Sequence, residues 1–303
     1  MRKLKFLVSL ITKDNDYQLE QANSAQESAR KLKVEATILF ADSDAITQST
    51  QILRVIQAPE KDRVDAVIFE PIGGTALPQV AKAAAGAGVG WAVLNREPAY
   101  IPELRASHQI PIFCVSSDQV EVGRIAARQC ATLIPGGGSI LYIQGPSQSS
   151  VAKERETGLR EILPSNIHAT VLRGQWTDDS ATRAVRSWLN LSTSRKAIID
   201  LVLSQNDAMA IGARKAFQEL PDEAERERWL ATPFLGCDGV PNTGQSWVRS
   251  GLLTATILTP PNAGQAMELF VEALENKKSV PERTFTTSSS IPPLTDLGRA
   301  RKP

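Results

Sequence analysis

Short apolar runs and helical patterns alternate along the chain. KFLVSLI, ATILFA, VDAVIFE and GWAVLNR are continuous apolar runs of strand length. Between them lie stretches with helical spacing. From Tyr17 to Lys33, Leu19, Ala22, Ala25, Ala29 and Leu32 share one face, and Ser49 to Ile56 and Pro78 to Ala87 follow the same period. Strands that are apolar at every position, rather than alternately, suit a parallel sheet covered by helices on both faces.

The pattern then starts again. GSILYIQGP, ATVLRGQW, IDLVLSQ and TPFLGCDG are the second set of strands, separated by helices over Val151 to Ile162, Asp179 to Leu189 and Ala208 to Leu220. VDAVIFEP corresponds to IDLVLSQN and AVLNRE to FLGCDG. This predicts an α/β fold of two similar Rossmann-like, doubly wound domains. FCVSSDQVEVG joins the halves, LTATILTPPNAGQAMELFVEAL adds a strand and a helix, and FTTSSSIPPL reads as a last irregular strand. The expected lobes are residues 1–117 plus 260–287 and residues 118–259 plus 288–303. Crossings fall near Ser117-Asp118, Thr259-Pro260 and Thr286 to Ser289.

The 303 residues are 42% hydrophobic, enough for two cores, and the formal net charge is +1. No basic stripe marks a nucleic-acid surface. The three cysteines, Cys114, Cys130 and Cys237, are odd in number and far apart, which argues against disulfides or a zinc site. His108 and His168 are the only histidines, which leaves little material for a metal site or a Ser-His-Asp triad. No metal, cofactor or catalytic residue is expected. GPSQSSVAKERE follows a strand and opens a helix, but it lacks the spacing of a dinucleotide or phosphate loop. The opening MRKLKFLVSLITKDND imitates a signal peptide, yet its apolar run is too short and reads better as the first strand. The sequence as written is therefore expected to be cytoplasmic, or periplasmic if an export segment preceded it, and without membrane insertion.

Ligands of open α/β sheets bind beyond the carboxyl ends of the strands. Residues at those ends include Asn15, Tyr17 and Gln18 after the first strand, the turn Pro71-Ile72-Gly73-Gly74, and then Asn95 and Arg96. In the second half they are Gln144-Gly145-Pro146 with Arg155 further on, Trp176 to Asp178, Gln205-Asn206-Asp207, Asp238 and Thr259. Amides, carboxylates and guanidinium forks pair with vicinal hydroxyls, and aromatic faces suit the C–H side of a sugar ring. Each residue also has a plainer reading. Asn206 or Asp207 suits the N-cap of the following helix, and Arg155 suits a solvated helix face.

Taken together these residues resemble the ribose-type periplasmic sugar-binding proteins, relatives of lac-repressor-type ligand-binding cores. The resemblance runs from Leu4 to about Leu294. VSLITKDNDYQLEQANSAQESARKL, VLNRE, VSSDQVEVGRIAA, VAKERETGLRE, SQNDAMAIGA and GCDGVPN carry it. It implies two lobes joined by a three-segment hinge at Ser117, Asp118, Thr259 and Pro260, closing on a sugar in the interlobe cleft without catalysis. It also implies an ABC transporter permease or a sensor protein as partner. The binding residues it implies are Asn15, Tyr17, Gln18, Asn95, Arg96, Arg155, Trp176, Asp178, Asn206, Asp238 and Thr259. Gln18 stands where the family has an aromatic residue, Asn95 where it has aspartate, and Thr259 where it has glutamine. With Arg96 and Arg155 set against Asp238 alone, the set is net positive, which anticipates an acidic or phosphorylated sugar. Within the QND run, Asn206 is expected to meet the ligand and Asp207 to cap the helix.

Overall fold

The computed structural model describes residues 2–73, 76–192, 194 and 197–298. Gly74, in the turn expected after the third strand, and residues 299–303 of the second lobe lie outside them. By its contacts the chain divides into two compact units. Unit 1 is Met1–Ser117 with Pro261–Thr286, and unit 2 is Asp118–Pro260 with Thr287–Pro303.

Unit 1 contains strands β1 (Lys5–Leu10), β2 (Glu35–Phe40), β3 (Ala66–Phe69), β4 (Gly90–Leu94), β5 (Ile112–Ser117) and β11 (Arg283–Thr286). They form one parallel sheet in the order β11-β5-β4-β3-β1-β2. Its helices are α1 (Asp16–Leu32), α2 (Ala45–Ile56), α3 (Pro78–Gly86), α4 (Ile101–Ser107) and α11 (Ala263–Leu274). Successive side chains of a strand point to opposite faces, so a fully apolar run feeds two cores. Phe6, Val8 and Leu10 of β1 pack with Ala25, Met267 and Phe270 of α1 and α11. Leu7 points the other way, into a cluster with Ile52, Val80, Trp91 and Leu104 from α2, α3, β4 and α4.

Unit 2 repeats the plan. Its strands are β6 (Gly138–Gln144), β7 (Ile167–Arg173), β8 (Leu201–Ser204), β9 (Phe234–Leu235), β10 (Thr256–Leu258) and β12 (Ser289–Ile291). Its helices are α5 (Gln119–Leu133), α6 (Ser150–Ile162), α7 (Asp178–Leu189), α8 (Asp207–Gln218), α9 (Glu223–Ala231), α10 (Gly244–Arg249) and α12 (Leu294–Leu297). The four-stranded parallel sheet runs β7-β6-β8-β9, and single bridges, Leu235 to Ala255 and Asp238 to Leu258, bring β10 alongside. Strand for strand this matches β2-β1-β3-β4-β5. The last strands break the symmetry, because β11 is parallel to β5 whereas β12 is antiparallel to β10.

The structure corrects several boundaries. Helix α2 starts four residues before Ser49, because Asp44 caps it by accepting from the Ile46 and Thr47 N–H groups. FTTSSSIPPL is not one strand; it is shared between β11 and β12, which belong to different units. Helices α4 and α9 fall in stretches whose short length or high charge masked their period. Among the described residues no helix is long and apolar enough to cross a membrane.

Candidate functional site

The strand order of each unit reverses beside its first strand, between β1 and β3 and between β6 and β8. A crevice opens at such a point, at the carboxyl ends of the strands. Polar residues gather at both points.

In unit 1, Asn15 caps α1 by accepting from the Gln18 N–H at 3.2 Å. The cap places Tyr17 and Gln18 in the first turn. The Tyr17 hydroxyl accepts from Gln21 Nε2 and Asn95 Nδ2, both at 3.4 Å. Gln18 turns inward: its Oε1 accepts from the Ile11 N–H at 2.9 Å and its Nε2 donates to Glu70 Oε2 at 2.8 Å. It therefore acts as the support of Glu70. Glu70 itself, just past β3, was not singled out from the sequence. Burial raises its carboxyl above the usual range, while Gln18, the Arg96 charge, Asn95 and Gln21 pull it back down. The only sequence signal was a carboxylate ending an otherwise apolar strand. Arg96 donates from Nη1 to the Asn95 carbonyl at 3.0 Å.

In unit 2, Arg155 is 7% exposed and not a solvated helix residue. Its Nε donates to Gln119 Oε1 at 2.8 Å, its Nη1 donates to the Gln205 carbonyl, and its Nη2 lies 3.8 Å from Asp238 Oδ1. The guanidinium also sits 5.9 Å over the Trp176 ring. That ring lies against Gly145, where any side chain would overlap it. Thr259 is buried, with its Oγ1 3.5 Å from the Asp238 carbonyl.

The QND run is assigned differently from the sequence reading. Asn206, not Asp207, caps α8: its Oδ1 accepts from the Met209 N–H at 2.9 Å, and its Nδ2 donates to the Trp176 carbonyl at 3.0 Å. Asp207 is the first helical residue. Its carboxylate accepts from the Gly239 N–H at 2.8 Å and the Thr256 hydroxyl at 2.6 Å. Gly236 and Gly244 press on it so closely that a side chain at either would overlap its oxygens. Gln205, unassigned before, bonds the Tyr142 hydroxyl, the Ala152 carbonyl and the Gly145 N–H. Asp178 has a partner on another helix. Its carboxylate pairs with Lys215 on α8, which holds it below its ordinary value, and it braces α7 on α8.

Three of the candidate residues have left-handed backbones: Asn95 (φ 56°), Trp176 (φ 66°) and Asp238 (φ 108°). Such conformations cost about 1–3 kcal/mol and persist where the surroundings enforce them, often at binding sites.

Asp207 gives a pH prediction. Burial, and next the Asp238 charge, raise its pKa well above 3.8. The folded state then holds a proton that the unfolded chain releases near 3.8, so stability falls as pH rises through the window above that value. Asp207→Asn, which keeps an acceptor for Gly239, should flatten this slope. Urea unfolding between pH 4 and 8 measures it; an undiminished slope in the variant would rule Asp207 out as its source.

Residues 6–278 match the model of the periplasmic binding protein domain. The chain belongs to that family. It is 25% identical over 280 residues to the ribose import binding protein RbsB of Salmonella typhimurium, covering 92% of this chain and 87% of that one. It is 29% identical over 234 residues to the xylitol-binding protein of Mycolicibacterium smegmatis, covering 76% of this chain. The chain spans only 60% of that relative's length, and 62% of another relative's. In fold it matches an ABC transporter periplasmic solute binding protein from Actinobacillus succinogenes 130z, solved with bound D-allose. The TM-score is 0.82 at 19% identity, over 98% of this chain and all of the other.

Proposed function

We propose that this periplasmic binding protein holds a neutral monosaccharide or related polyol without transforming it, as a solute-binding protein. Strand-end residues of both units supply the recognition: Asn15, Tyr17, Asn95 and Arg96 from unit 1, and Arg155, Trp176, Asn206 and Asp238 from unit 2. The chain crossings at Ser117-Asp118 and Thr259-Pro260 serve as hinge segments in this reading. The ribose import and xylitol-binding relatives support the ligand class, and the ribose import protein together with the ABC transporter protein of like fold support delivery to a transporter permease.

The observation that carries the neutral ligand is charge matching. In unit 1 the Arg96 charge acts on buried Glu70, and in unit 2 Arg155 stands beside Asp238. The net-positive set expected from sequence omitted Glu70, and with it each arginine has a carboxylate of its own unit beside it, Glu70 for Arg96 and Asp238 for Arg155. Paired charges bind hydroxyl groups that both donate and accept, and they do not compensate a phosphate.

A thermal-shift screen of neutral sugars and polyols beside their phosphates tests this. Ligand at 100 times its Kd stabilises by about 2.7 kcal/mol. The melting point should rise with a neutral compound and not with its phosphate. The opposite preference would overturn the neutral reading; turnover of a bound sugar would overturn the non-catalytic one.

A further inference from the structure

The chain leaves or re-enters unit 1 at Ser117, Pro261 and Thr286. All three places meet in one hydrogen-bonded chain inside that unit, half-buried at Thr286 and Tyr17 and buried at Ser117, Asn262 and Asn95. Thr286 Oγ1 donates to Asn262 Oδ1 at 3.0 Å, so in its 2.9 Å contact with Ser117 Oγ it must accept. Asn262 Nδ2 donates to Asn95 Oδ1 at 2.6 Å, and Asn95 Nδ2 donates to the Tyr17 hydroxyl. Every link runs in the same direction, from Ser117 through Thr286, Asn262 and Asn95 to Tyr17. The Asn262 amide is matched to that of Asn95, since flipping it alone would set its oxygen against the Asn95 oxygen. Asn262 is 0% exposed, and Gln21 Oε1 accepts from both its N–H and that of Ala263.

We propose that Asn262 is a positioning residue, relaying through Thr286 so that the left-handed Asn95 and the three chain exits of unit 1 are held as one unit. That Asn95 faces ligand rests on the function proposed above; the relay does not, and it is tested without ligand. Of the segments 95–96, 116–118 and 262–264, the first is tied to β5 because the Asn95 N–H bonds the Val115 carbonyl, and 116–117 of the second belong to β5. Segment 262–264 lies outside β5 and β11, so faster exchange there is what separates the relay from loosening of those strands.

Hydrogen exchange on the full-length, ligand-free protein is the experiment. Thr286→Val removes the hydroxyl at a half-buried site with little change in shape. It should raise amide exchange about tenfold in all three segments, while Thr286→Ser, which keeps the hydroxyl, should stay close to wild type. Faster exchange confined to β11 and its neighbour β5, no change anywhere, or a serine variant as disrupted as the valine would each overturn the relay.

Discussion

Arg155→Ala should destabilise unit 2 by about 3–5 kcal/mol, the usual cost of stripping one partner from a buried charge cluster. Sequence reasoning offered Arg155 as a binding residue or as a solvated position on a helix face. The structure gives it three structural duties. It fills the Gln119 amide, it satisfies the Gln205 carbonyl at the end of β8, and it balances Asp238 next to Asp207. The removed side chain would leave these groups buried and unmatched. Chemical denaturation of ligand-free protein measures the loss; an unchanged midpoint together with weakened ligand binding would return Arg155 to a purely ligand-facing role. Arg155→Lys keeps the charge but not the fork, so it should recover only part of the loss.

Gly158→Ala should be comparably severe, although alanine favours a helix over glycine by about 1 kcal/mol. A methyl group at 158 would overlap the Val120 carbonyl oxygen, and one at 123 would overlap the Arg155 carbonyl oxygen. Helices α5 and α6 thus meet backbone to backbone, each glycine receiving the other helix's carbonyl. Backbone cannot step aside as a flexible side chain can, so the clash outweighs propensity and a cost of about 3 kcal/mol or more is expected. Gly86→Ala provides the contrast, since nothing lies within 4 Å of a Cβ there and the helix gain should stand alone. Equal urea midpoints for the two variants would mean that α5 and α6 yield more easily than their packing indicates.

The two examples show what the sequence could reveal. Continuous apolar runs ending in polar residues were enough for a doubly wound α/β fold, because burial on both faces leaves few other arrangements for such runs. The same reasoning located the strand ends but not what each side chain does there. Asn206 and Asp207 are adjacent, and either can cap a helix. Only the positions of Gly239 and Thr256, dozens of residues later, decide that Asp207 turns into unit 2 and Asn206 caps. Glu70 was invisible for a related reason. A carboxylate at the end of an apolar run reads as the start of a loop until Gln18 and Arg96 are seen around it. The pairing of Asp178 was hidden in the same way, because its partner, Lys215, comes from another helix.

The left-handed backbones at Asn95, Trp176 and Asp238 restrict anyone who wants to redesign this protein. Asparagine and aspartate tolerate that conformation better than most residues, and glycine adopts it without cost, but β-branched replacements do not. A library at these positions should therefore be built from Asn, Asp and Gly first, with new chemistry introduced at neighbours whose backbones are ordinary, such as Arg96 or Thr259. Retargeting specificity here is as much a choice of permitted turns as a choice of side chains.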